Sequence, residues 1–400
     1  MRALVVERSV ARFAAARVAS ALPAASGWAN GPGRRLGPLQ LKETDAPEPP
    51  SPEWLTVRPL LSGICGSDLA TLDGRSSRWF EDIVSFPFTP GHEVVGEAED
   101  GRRVVVNPLL PCATRGIDPP CPDCAAGRPN RCQNLVGGLL PPGLQVGYCA
   151  GTGGGWSGVL VAHRSSIFEV PAGLSDEAAV LVEPTASALH GALATEGSGR
   201  ELVAVVIGAG MQGLATIAAL ARWREDVAAI IAVAKHPDQQ RLARQLGATV
   251  VAEPAEIRRA VRRRCGGSIL DGGQLSGGAD LVIDCVGSPA SLADALAVTT
   301  PGGTIVLTGM PGPARVDLTP LWQREVTLRG SYAYGTERHD PSGRHSFELA
   351  FELVGEAGLE RLLSATYPID HHAEAVSHAA GAGRRGATKV AFDLRREKRR

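Results

Sequence analysis

At 400 residues the chain exceeds what one ordinary core accommodates, and its 44% of apolar residues suffices to fill two. A formal net charge of −1 excludes a strongly basic nucleic-acid binder. No apolar run reaches the ~18 residues of a membrane span, and the N-terminus, MRALVVERSVARFAAARVAS, lacks the compact apolar segment of a secretory signal. A cytoplasmic location is therefore expected, where clustered cysteines point to metal rather than to disulfides.

The first half is rich in Pro and Gly. Its short apolar runs at 55–61 (LTVRPLL), 93–99 (EVVGEAE), 102–108 (RRVVVNP) and 158–163 (GVLVAH) predict an irregular, mainly β domain. Near residue 175 the texture changes. SDEAAVLVEPTASALHGALA (175–194) offers Ser175 as an N-cap, acids in the first turn and apolar residues at helical spacing, which predicts a helix. From 201 onward, strand and amphipathic helix alternate: LVAVVI with MQGLATIAALARW, AAIIAV with PDQQRLARQLGA, ADLVID with SLADALAVTT, then GGTIVLTG. That alternation predicts an α/β domain with a parallel, doubly wound sheet. The pattern breaks near 336. HSFELAFELVGEAG (345–358) predicts a helix and KVAFDL (389–394) a closing strand. The expected division is 1–185, 186–335 and a return at 336–400, and the basic tail RREKRR (395–400) reads as a solvated end.

Directly after the strand LVAVVI stands GAGMQG, with Gly208, Gly210 and Gly213 in the GxGxxG pattern and Met211 and Gln212 between them. The first glycine allows a tight turn, the second lets backbone approach a pyrophosphate, and the third lets helix pack on strand. A dinucleotide site is expected. An NAD site usually has an acid at the end of the second strand to bind the ribose 2′-hydroxyl; here Ala234, Lys235 and His236 stand there, and Asp238 falls in the following helix. Lys235 and His236 suit a 2′-phosphate, so NADP is preferred, with NAD possible. Cys285 and Val286, in the strand-end run DCVG, and Gly309 are expected to line the nucleotide through their backbone.

Three fragments carry metal chemistry: GICGSDL (63–69) with Cys65, Ser67 and Asp68, PGHEVVG (90–96) with His92 and Glu93, and LVEPTASALH (181–190) with Glu183. A Cys, a His and one or two carboxylates form a borderline-soft set that suits zinc and leaves room for a water or substrate oxygen. Separately, PCATRGIDPPCPDCAAGRPNRC holds Cys112, Cys121, Cys124 and Cys132. Such density fits disulfides, a redox pair, or a catalytic or structural metal.

The order GICGSD, PGHEVVG, cysteine-rich lobe, VEP, GAGMQG resembles the zinc-dependent medium-chain dehydrogenase/reductase superfamily over nearly the whole chain, closest to its polyol, threonine and glucose dehydrogenase branch. The resemblance implies a Rossmann domain plus a mainly β, GroES-like catalytic domain, and an alcohol dehydrogenase acting on a polyol, sugar or small secondary alcohol with NADP(H) or NAD(H). Running as an aldehyde or ketone reductase is the alternative, and a non-catalytic nucleotide-binding protein the remote one. It implies two zinc ions per chain. Cys65 and His92 would bind the catalytic zinc together with Glu93 or Glu183, an alternative that the resemblance leaves open. Asp68 would orient the histidine and Ser67 relay the alcohol proton. The other zinc would be structural, held by Cys112, Cys121, Cys124 and Cys132, in a lobe at about 111–133. The last three of these cysteines match the family's spacing, whereas the eight-residue first gap is longer than usual. Relatives pair through the sheet edge, here 315–334, which implies a homodimer or homotetramer.

The chain departs from the family in three places. Ala70 replaces a relay histidine, Gly158 stands at the position of a usual Glu in GGWSG, and a glycine-rich insertion, GYCAGTGGG (147–155), precedes that motif. The stretch 9–40 is also longer than typical. His163, His190, His371 and His372 read as structural or surface residues, and Cys149 and Cys265 carry no assigned role.

Overall fold

The structure is a computed structural model that describes residues 1–21, 36–196, 199–340 and 342–396; residues 22–35 of the long N-terminal stretch and 397–400 of the basic tail lie outside the described residues. The chain divides into two compact units, Met1–Glu183 with Val354–Arg400, and Pro184–Leu353. In chain order the first unit supplies β1 (Arg2–Val6), β2 (Leu39–Glu43), β3 (Trp54–Gly63), β4 (Val94–Ala98), β5 (Arg103–Val106), β6 (Leu160–His163) and β7 (Ile167–Glu169). The second supplies β8 (Leu202–Ile207), β9 (Val227–Val233), β10 (Val250–Ala252), β11 (Ala279–Asp284), β12 (Thr299–Leu307) and β13 (Thr327–Gly330), and the returning segment adds β14 (Leu363–Tyr367) and β15 (Lys389–Asp393) to the first.

In the first unit the strand order is β14-β15-β3-β4-β5-β7, with β6 also on β3 and a separate β1-β2 ribbon. The run at 55–61 lies in β3, whose inward residues Val57 and Leu61 are fully buried. Burying side chains of this kind contributes ~1.5–3 kcal/mol each. Antiparallel pairing sets Ala391 of β15 opposite Gly63 of β3, so the end of the chain lies beside the start of the GICGSD motif.

In the second unit all six strands run parallel in the order β10-β9-β8-β11-β12-β13. The central strands read as nearly continuous apolar runs because both faces are covered. After β8 the chain proceeds outward to β9 and β10, then returns to β11 on the other side. The strand ends at that reversal are where a doubly wound sheet receives its ligand.

Two expectations are corrected. The helix expected over 175–194 is two helices, Asp176–Ala179 and Val182–Ala192. Pro184 lies in the first turn of the second, where a missing N–H costs nothing, so it starts a helix there instead of continuing one. The return to the first unit comes at Val354, not at 336. The helix Ser346–Glu356 buries Phe347, Leu349 and Ala350, and Phe347 meets the Tyr334 ring edge-on at 4.8 Å, which keeps 336–353 with the second unit. The helix Val10–Ser20, capped by Ser9, lies in the N-terminal stretch that had carried no assignment. Among the described residues no helix is long and apolar enough to cross a membrane.

Candidate active site

GICGSD folds as a strand end running into a helix. Cys65 is the N-cap of the helix Gly66–Leu72, and the Cys65 N–H donates to Asp68 Oδ2 at 2.9 Å. An acid in the first turn suits the positive end of the helix. PGHE turns at Gly91, whose φ of +98° favours glycine; a Cβ there would lie 2.4 Å from the Trp156 ring. That turn delivers His92 and Glu93, both buried, to the start of β4.

Cys65, His92 and Glu93 each offer a ligand atom within 4.8 Å of the others. His92 Nδ1 faces Asp68 Oδ1 at 3.4 Å, which leaves Nε2 for a metal. Burial opposes a charge on His92, but Asp68 and Cys65 outweigh it and raise its pKa well above the ordinary value. A ring held this tightly among anions marks a place where a cation is wanted, and the donor set is one that zinc accepts. Glu93 also pairs with the buried Lys389 Nζ. Burial works against the lysine's charge, but Glu93, then Cys65 and Glu183, raise its pKa. The glycine of the motif has its own reason: a Cβ on Gly63 would lie 1.9 Å from Glu93 Oε2. Glu183 is buried in the first turn of Val182–Ala192 but is not one of the three clustered donors. Ser67, in the first turn after Cys65, is half-buried.

The four cysteines of the lobe also converge, with all four Sγ atoms within 4.8 Å of one another. Cys112, on the far side of the long gap, is fully buried and its Sγ accepts from Cys121 N at 3.3 Å and Asn134 Nδ2 at 3.2 Å. A hydrogen bond from Gln133 N helps lower the Cys121 pKa to about 6, whereas burial raises Cys124 and Cys132. Four thiols this close cannot all ionise without a cation to share, and four sulfurs form the closed set of a structural zinc. The excursion ATRGIDPP contributes Arg115, whose fully buried guanidinium donates to the carbonyls of Leu110 (3.1 Å), Gly137 (2.9 Å), Leu140 (3.2 Å), Pro141 (3.3 Å) and Gly143 (2.5 Å).

In the second unit the expected nucleotide residues gather at the C-terminal ends of β8, β9, β11 and β12. Gly208 follows β8 with φ +95°, and a Cβ on Gly213 would lie 1.8 Å from Gly208 O, so helix and turn touch. A Cβ on Gly210 would meet nothing within 4 Å. Gly210 is the N-cap of the helix Met211–Trp223 and offers no side-chain cap, leaving N–H groups for an anion in that open space. Gln212 donates to Thr308 O at 3.4 Å. Val286 is exposed, and a Cβ on Gly309 would lie 2.5 Å from Val286 C, so the loops after β11 and β12 touch. Asp284 shapes the first of these loops by accepting from Val286 N at 2.9 Å and Gly287 N at 3.1 Å. The Cys285 thiol, pushed up to about 11 by burial, is no nucleophile. Lys235 is exposed and His236 half-buried beyond β9, while the Asp238 carboxylate accepts from Arg241 at 3.3 Å.

Three buried residues escaped the sequence reading: Lys389, Arg115 and Tyr148. Lys389 had a weak signal, a lysine opening a strand whose next three residues, Val390, Ala391 and Phe392, are apolar. His190, read as structural or surface, pairs with the buried Glu337 at 2.8 Å.

A β unit presenting Cys, His and Glu, and a parallel sheet with a glycine-lined nucleotide turn, define an oxidoreductase acting on CH–OH donors. The zinc-binding dehydrogenase family matches residues 213–356 and the alcohol dehydrogenase GroES-like domain matches 51–172. The chain belongs to the zinc-dependent medium-chain dehydrogenase/reductase superfamily. It is 28% identical to a sorbitol dehydrogenase of Arabidopsis thaliana over 86% of this chain and 89% of the relative. It is 29% identical to an L-threonine 3-dehydrogenase of Streptomyces avermitilis over 79% of this chain and 85% of the relative. A zinc-binding dehydrogenase from Sinorhizobium meliloti, solved with NADP, superposes with a TM-score of 0.68 at 25% identity, covering 89% of this chain and 96% of the other.

Proposed function

We propose that the chain is a zinc alcohol dehydrogenase that moves a hydride between a polyol, sugar or small secondary alcohol and NADP(H). The convergence of Cys65, His92 and Glu93 carries this reading, and the polyol and amino-alcohol dehydrogenases among its relatives support the substrate class. In this reading Glu93, rather than Glu183, completes the ligand set.

Zinc held by Cys65, His92 and Glu93 would supply the acidity that lets an alcohol hydroxyl lose its proton near neutral pH, and the nicotinamide would supply the acceptor for the carbinol hydride. The chain's own residues do the rest. Ser67 Oγ receives the hydroxyl proton and passes it outward. Asp68 holds the His92 ring, as metal-bound imidazoles require. Lys389 pairs with Glu93 and holds that buried carboxylate in place. The backbone N–H groups beyond Gly210 hold the pyrophosphate. Lys235 and His236 favour a 2′-phosphate, and the pairing of Asp238 with Arg241 removes the nearest competing acid.

The second zinc in this reading is structural, in the four-cysteine lobe. We also propose a homodimer formed along β13, the sheet edge, where Leu318, Trp322, Leu328 and Tyr332 are exposed. A cytoplasmic setting would keep the lobe's thiols reduced. A panel of polyols, sugars and secondary alcohols assayed with NADP and with NAD tests substrate and cofactor together. Turnover of none of them, or a clear preference for NAD, overturns the corresponding part.

A further inference from the structure

The glycine-rich segment that departs from the family pattern packs directly behind His92. Gly147 has φ +87°, and a Cβ on it would lie 3.1 Å from the backbone of Gly91. Further along, Gly155 N donates to Gly91 O at 2.7 Å and Trp156 N to Pro90 O at 2.9 Å. Residues 147–156 thus hold the PGHE turn at Pro90 and Gly91. The next residue in the segment, Tyr148, is buried; its ring stands 5.8 Å from the His92 ring and 5.3 Å from that of Phe88.

The Tyr148 hydroxyl donates to Asp68 Oδ1 at 3.1 Å and lies 3.4 Å from Thr71 Oγ1. Oδ1 is also the oxygen facing His92 Nδ1 at 3.4 Å, while Oδ2 accepts the N–H of Cys65. One carboxylate therefore touches two of the three clustered donors, and the tyrosine fixes its rotation. Without the hydroxyl, Oδ1 keeps only the histidine, and the hydrogen bond from Cys65 N to Oδ2 is left to set the rotation of the carboxylate.

We propose that Tyr148 is a positioning residue of the active site: it locks Asp68 so that one carboxylate holds both Cys65 and His92 in place for the metal. This rests on the reading of Cys65, His92 and Glu93 as metal ligands, and the experiment separates the two. Cobalt(II) is substituted for zinc in the full-length enzyme, and its visible absorption, its rate of release to a chelator, and kcat and KM are measured for wild type, Tyr148→Phe, Asp68→Asn and the double variant. Tyr148→Phe keeps the ring and its contacts with His92 and Phe88. It is expected to shift the cobalt absorption, to release active-site cobalt about tenfold faster and to lower kcat about tenfold, with KM little changed. Because Tyr148 works through Asp68, its substitution should add almost nothing in the Asp68→Asn background. Wild-type absorption and release in Tyr148→Phe overturn the proposal, as do fully additive effects in the double variant. A Cys65→Ser enzyme with the wild-type cobalt absorption overturns the ligand reading itself, and the proposal with it.

Discussion

The first unit carries two cysteine-bearing sites built on opposite plans. The lobe uses four like donors from one stretch of chain, 112–132, and its buried cation, Arg115, sits a few residues from the cysteines and spends its hydrogen bonds on backbone carbonyls. The candidate active site uses three unlike donors, and its buried cation, Lys389, arrives from a distant segment of the chain and grips a donor carboxylate. The lobe is settled by local chain, and nothing about it needs to change. In the candidate active site charged groups are paired with partners from distant segments, which suits the proposed place where protons and substrates come and go. In the proposed reading, holding a fold and doing chemistry ask for different ligand sets from the same ion.

That contrast breaks most visibly at the donors. Cys65→Ser or His92→Ala should lower turnover by at least ~10³-fold and halve the zinc content while leaving the lobe intact; normal turnover in either would dissolve the distinction. Arg115→Met should do the reverse. It strands five carbonyls in a buried space, and an unfolding free energy lower by ~3–5 kcal/mol is expected in denaturant titrations, with kcat of the folded fraction near wild type. Lys389→Met leaves Glu93 buried and unpaired, and kcat should fall ~10–100-fold; a stability loss with unchanged kcat would make Lys389 another Arg115. The smallest effect belongs to the second unit, where Lys235→Asp should move the NADP-to-NAD ratio of kcat/KM about tenfold toward NAD, a change of ~1.4 kcal/mol.

The sequence spoke most plainly where chemistry is local. GICGSD, PGHEVVG, CPDCAAGRPNRC and GAGMQG each compress a turn, a cap and a donor into a few residues, so type and spacing reveal them. The parallel sheet was equally legible, because strands covered on both faces leave continuous apolar runs. Arg115 was not, since its partners are backbone carbonyls, which carry no residue signature. Lys389 and Tyr148 were not, because β-sheet register and loop packing bring them to Glu93 and Asp68 from far along the chain. The break of the helix at 180–181 and the retention of 336–353 by the second unit likewise depend on tertiary packing, which overrides local propensity.

The pairing of β15 with β3 has a consequence for how the enzyme is made. All three clustered donors are synthesised well before Lys389, which follows Glu93 by 296 residues. A nascent or C-terminally clipped chain would hold Cys65, His92 and Glu93 without the lysine that neutralises the last of them. β15 therefore acts as a late check on this cluster: only a chain made through Lys389 gives Glu93 its buried cation.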